Sequence, residues 1–150
     1  MNFGKAIGKV LPLIVTLVPL ITTTFISPAN AAEWVRILSD DNAAFYIDTS
    51  SIEGTGRYRY YWQLVAFQRP QSFRTGVNRT SVSVYGYAIY SSIDCRTKFG
   101  RVRRLLALDR NNRTLMEINM NEFGPLENIN GSALPARYAA AYACRSGSTR

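Results

Sequence analysis

The chain has two cysteines, Cys95 and Cys144, behind an N-terminal segment built like an export signal. Together these features limit the fold more than any other. Lys5 and Lys9 give a positive start, and an apolar stretch runs from Val10 to Ile26. Ser27-Pro28-Ala29-Asn30-Ala31-Ala32 follows, and Ala29 and Ala31 supply the small-x-small pattern of a cleavage site. The reading is a signal peptide over 1–31, cleaved between Ala31 and Ala32, and a single domain over 32–150. A retained anchor would need about 20 apolar residues. This stretch has 17, including Pro12, Pro19, Thr22, Thr23 and Thr24. The expected product is secreted or periplasmic, with no stable membrane span in the mature chain. No cysteine lies near the cleavage site to carry a lipoprotein anchor.

Outside the cytoplasm thiols oxidise, and two cysteines allow one intramolecular bridge. Closing a loop of that length stabilises a domain by about 4 kcal/mol on the chain-entropy account. A redox-active thiol or an intermolecular bridge are the rival readings, with neither a Cys-x-x-Cys motif nor a third cysteine behind them. The chain has no histidine, which excludes a Ser-His-Asp triad, a Cys-His nucleophile and His-ligated zinc. Two cysteines cannot form a four-cysteine site, so neither metal nor cofactor is expected. Hydrophobic residues at 47% against 19% charged mark a globular chain rather than a disordered one. Without Lys5 and Lys9, 16 basic side chains face 10 acidic ones, a net charge of +6. For an exported protein that excess points to anionic glycans or acidic proteins at the cell surface rather than nucleic acid. Solubility alone is the plainer reading.

Period-2 segments broken by turn residues argue for antiparallel β structure. Trp34 to Leu38 and Ala44 to Ile47 are short apolar runs, ended by Ser39-Asp40-Asp41-Asn42 and Asp48-Thr49-Ser50-Ser51. Arg57 to Gln68 is the strongest strand. Tyr58, Tyr60, Trp62, Leu64 and Ala66 share one face; Arg57, Arg59, Tyr61, Gln63, Val65 and Phe67 share the other. Trp62 and Leu64 are expected in the core. Pro70 lacks an amide hydrogen and is expected to stop the ladder, leaving a polar connection to Arg79. The next strand covers Thr80 to Ser91, with Gly86 at a break in alternation that suggests a bulge. Gly100 reads as a turn. Arg101 to Leu108 and Thr114 to Ile118 form a hairpin about Asp109-Arg110-Asn111-Asn112.

Ser132 suits a helix N-cap, Pro135 the first turn, and Ala136 to Cys144 the one convincing helix. Ala133, Ala136, Ala140 and Cys144 fall on one side, Leu134 and Tyr138 on the adjoining one, so periodicity leaves open which side is buried. The expected fold is α+β: an antiparallel sheet of about six strands, with one C-terminal helix packed on a face and tied by the Cys95–Cys144 disulfide.

Tyr46-Ile47-Asp48 with Ser51-Ile52, Trp62 with Leu64 and Phe67, Ser92-Ile93-Asp94-Cys95 followed by Arg101, and the closing Tyr142-Ala143-Cys144 form an ordered pattern. It resembles the surface-adhesin protein E-like domain of exported bacterial proteins over most of residues 33–145. The resemblance implies the same sheet with a disulfide-tied helix. It also implies a binding role of the adhesin kind, toward host matrix and plasma proteins, and dimer formation. The chain departs from the lipid-anchored adhesins of that family in lacking an anchor cysteine. It also has Leu126-Glu127 and Asn130-Gly131 where relatives often place a Trp before the helix.

Arg101, Arg103 and Arg104, with Arg96 and Lys98 just before them, are the densest basic cluster, and Arg57 and Arg59 join it if their strand is a neighbour. With interleaved tyrosines they could bind an anionic glycan or an acidic protein surface. Strict alternation sends Arg103 and Arg104 to opposite faces, which favours the other reading, edge charges that block aggregation. Apolar residues on both faces of the Arg57–Gln68 strand suggest a covered second face, as in a homodimer. Asp40-Asp41 reads as a turn, because strand neighbours point apart and make a poor acid/base pair. The reading is an exported, non-catalytic binding protein of the envelope or extracellular space. A small periplasmic hydrolase or enzyme accessory protein is the alternative.

Overall fold

The computed structural model describes residues 32–75 and 80–146. The signal-peptide reading of residues 1–31, with Ala29 and Ala31, lies outside them, and Ala32 is the first described residue. Six strands cross one antiparallel sheet in chain order: β1 Trp34–Ser39, β2 Ala43–Asp48, β3 Tyr58–Thr75, β4 Thr80–Asp94, β5 Phe99–Leu108 and β6 Thr114–Asn119. A two-residue strand, β7 Glu127–Asn128, pairs with the start of β5 where β6 has stopped. The helix α1, Leu134–Ser146, closes the described chain.

The alternation along β3 holds from Tyr58 to Ala66, and the ladder carries it across the sheet. Tyr61 opposes Ser91, which opposes Val102; Trp62 opposes Tyr90, which opposes Arg104. Cross-strand partners share a face, so the two sides of the sheet are defined by these pairs. Pro70 does not end the strand as expected. Ala66 pairs with Gly86 and Gln71 with Val84, so the residues between, Pro70 among them, are taken up by a bulge opposite Tyr85. The missing amide of Pro70 falls where no ladder bond is required. Gly86 is needed at this place: a Cβ there would stand 2.4 Å from the Val65 carbonyl oxygen. Gly100 is a strand residue rather than a turn, and a Cβ on it would stand 2.8 Å from the Ser92 carbonyl oxygen.

One face of the sheet is covered by α1. Ile47, Tyr61 and Ile93 from three strands meet Ala139, Ala140 and Ala143, all six buried. Alanines put the helix backbone close to the sheet, and burial raises the Tyr61 hydroxyl pKa. The structure settles the side that periodicity left open: Ala139, Ala140 and Ala143 are buried, Ala136 and Cys144 are half-buried, and Ala133, Leu134 and Tyr138 are exposed. Ser132 is not the N-cap, because it closes a short 3-10 turn, Ile129–Gly131, and α1 begins at Leu134. The Cys95–Cys144 bridge is formed, with a Cα–Cα distance of 5.6 Å, and joins the end of β4 to the last turn of α1. Trp62 and Leu64 are outside this core, half-buried on the face away from the helix.

Candidate functional site

The helix-distal face is organised by a bulge in β5. Tyr90 opposes Arg104 and Ser91 opposes Val102, so Arg103 is the extra residue. Its Nε donates to Ser92 Oγ at 2.8 Å, and its guanidinium lies 4.9 Å from the Tyr60 ring centroid. Ser92 pairs with both Tyr60 and Arg101. Arg101, Arg103 and Arg104 therefore share one face, where strict alternation would have separated the last two. The rings of Tyr60, Trp62 and Tyr90 sit among them, with Trp62 and Tyr90 5.1 Å apart.

Each of these arginines has a carboxylate. Arg101 and Arg103 both reach Glu122, Arg103 through Nη1 to Oε1 and through Nη2 to Oε2 at 3.3 Å. Arg104 Nε meets Glu117 Oε1 at 2.6 Å. Arg57 Nε meets Asp94 Oδ2 at 3.0 Å, and its guanidinium lies over Tyr58. The hydrogen bonds from Arg103 and Arg104 hold Glu122 and Glu117 below the usual carboxylate range. Burial works against ionising Asp94, but amide hydrogen bonds from Arg96 and Thr97 and the charge of Arg57 outweigh it. Burial, and then a 2.9 Å hydrogen bond from its hydroxyl to Glu53 Oε1, push Tyr90 up to about 12.

Of the five arginines read from the sequence, Arg101, Arg103 and Arg104 come together, while Arg57 is held by Asp94 and Tyr58 where β3 begins. Arg59 lies apart: it opposes Ile93, is buried on the helix side, and donates from Nη1 to the carbonyls of Gly56 and Tyr58. The reading missed Glu117 and Glu122. Glu117 was within reach, since the β5–β6 register sets it beside Arg104, opposite Leu106. Glu122 lies on a 3-10 turn, Asn121–Phe123, that carries no periodic signal. Asp40 is a turn residue as expected, its Oδ1 accepting from the amides of Asn42 and Ala43.

The motif residues have structural duties. Ile47 and Ile93 are core, and Cys95 is in the bridge. Asp48 Oδ1 accepts from the Glu33 and Ser50 amides, and Ser51 Oγ accepts from the Trp62 amide at 3.0 Å. Asp94 Oδ1 accepts from the Arg96 and Thr97 amides. Among the described residues no three acidic or cysteine side chains converge as metal ligands. No described helix is long and apolar enough to cross a membrane.

The family model of surface-adhesin protein E matches residues 34–111. Among solved structures, the crystal structure of protein E from non-typeable Haemophilus influenzae shares the fold. It has a TM-score of 0.53 and 10% sequence identity, over 83% of this chain and 85% of that one. No curated protein matches the chain.

Proposed function

The chain belongs to the surface-adhesin protein E family, and from that premise we propose that it is an exported protein that binds another protein through the helix-distal sheet face. The observation that carries this reading is the Arg103 bulge, which gathers arginines and aromatic rings on the side that α1 leaves uncovered. Arginine, tyrosine and tryptophan are enriched where proteins meet. A paired, mixed-charge surface suits a protein partner better than a polyanionic glycan, which needs cations without partners. Export is supported by the closed disulfide, and the proposed route is removal of residues 1–31 to release 32–150 to the periplasm or beyond. Catalysis is not part of the proposal. Asp94, Glu117 and Glu122 are all held toward the ionised form, the opposite of what a general acid at neutral pH requires.

The test uses the oxidised mature chain on a biosensor against matrix and plasma proteins and against heparin. A protein ligand is expected, with Arg103→Glu weakening it by about tenfold, and heparin is expected to elute at low salt. Firm heparin retention, with protein binding untouched by Arg103→Glu, contradicts the reading. A second copy is the competing occupant of this face, and sedimentation of the free chain at high concentration separates the two.

A further inference from the structure

On the other side of the sheet, α1 and the Ile129–Gly131 turn enclose a cleft of about 290 Å³, at the small end of small-molecule sites. Its apolar lining includes Ile93, Ile129, Leu134 and Ala141, and the disulfide at Cys144 borders it. Leu134 and Tyr138 are half exposed at the rim, apolar surface left for something to cover. Two cations, Lys98 and Arg137, also line the cleft, and no carboxylate does. Neither has an ion pair among the described residues, whereas Arg57, Arg101, Arg103 and Arg104 do.

Lys98 is fixed in place. Its amide donates to the Asp94 carbonyl, and its own carbonyl accepts from the Ile129 amide, both at 2.8 Å. Its φ is 63°, a left-handed conformation that glycine adopts at less cost. The turn alone gives no reason for a lysine, but a cation at the mouth of an apolar cleft does. Arg137 comes from the exposed side of α1, where Leu134, Arg137, Tyr138 and Ala141 follow one another at helical spacing.

We propose that this cleft binds a small apolar molecule ending in one carboxylate, with the hydrocarbon against Ile93, Ile129 and Leu134 and the carboxylate between Lys98 and Arg137. The charge complementarity is what favours a carboxylate: Lys98 and Arg137 both line the cleft, both are exposed to solvent, and neither has an ion pair among the described residues. This inference stands apart from the sheet-face reading, because the two sites lie on opposite sides of the sheet.

The probe is octanoate, titrated into the oxidised mature chain and followed by backbone amide NMR, with octanol as the uncharged control. Saturable shifts are expected at Ile93, Lys98, Ile129 and Arg137, with octanol weaker by about tenfold. Lys98→Gly suits the turn and keeps the fold, and it is expected to weaken octanoate by about threefold to fivefold, as is Arg137→Gln. Ala141→Trp fills the exposed mouth and is expected to abolish binding with the melting temperature little changed. The proposal is overturned by equal affinity for octanol, by unchanged affinity in Lys98→Gly, by shifts on the Tyr60–Arg103 face instead, or by no saturable shift below the micelle concentration.

Discussion

The two sides of the sheet use positive charge in contrasting ways. On the distal face Arg101, Arg103 and Arg104 crowd together in sequence and in space, and each is tied to Glu117 or Glu122. In the cleft beside α1, Lys98 and Arg137 are far apart in sequence, line the same cleft, and have no carboxylate in that lining. Density of charge along a chain is therefore a poor guide to where charge is available. The cluster on β5 has acidic neighbours on β6 and on the turn that follows it, while the two cations delivered by a turn and a helix line their cleft without such neighbours. The distal face is the proposed protein-contact surface, and the cleft the proposed anion site.

Cutting the covalent tether should have the largest effect and should break the comparison on one side only. Cys144→Ser is expected to cost about 4 kcal/mol in urea unfolding. It should loosen α1 and erase the cleft, while the β3–β5 ladder that builds the distal face retains its amide protection in hydrogen exchange. Ala143→Leu comes next. Ala143 is fully buried against the sheet, and overpacking there should cost about 1–3 kcal/mol and displace Arg137 from the cleft it shares with Lys98. On the distal face, Arg103→Ala removes a guanidinium from the Tyr60 ring and one of the two partners of Glu122. The expected loss is about 1 kcal/mol, with the cleft unaffected.

The smallest effect concerns pH. Asp94, Glu117 and Glu122 have folded-state pKa values below their unfolded ones. Their contribution is fully present above the unfolded carboxylate value, about 4, and is lost as pH falls through the lower folded values. The melting temperature should decline below about pH 4, and Glu122→Gln should flatten that decline. An unchanged slope would separate Glu122 from the arginines beside it.

Much of the architecture was legible beforehand because it rests on local signals. Alternation marked β3, and Asp109 to Asn112 marked the β5–β6 hairpin. The count of two cysteines behind a segment read as a leader pointed to the bridge. What was hidden depends on pairing between strands. Pro70 read as a stop because the bulge that absorbs it is a property of β3 against β4. Arg103 and Arg104 read as opposed because one extra residue in β5 is invisible without its partner strand. Gly100 read as a turn because the close approach of the Ser92 carbonyl comes from a neighbouring strand. The buried side of α1 was left open by its many alanines, and contact with Ile47, Tyr61 and Ile93 settles it. Lys98 read as part of the basic run before Arg101 and Arg137 as the edge of a helix stripe, since a turn and a helix bring them to one cleft only after folding.

The central claim is that the arginines of the distal face are committed to internal carboxylates while the cations of the cleft are not. The most direct measurement is an NMR titration of arginine Nε–H signals with inorganic phosphate on the oxidised chain of residues 32–150. The expected result is a saturable shift of Arg137 with Arg101, Arg103 and Arg104 stationary. Movement of the three clustered arginines with Arg137 at rest would contradict it.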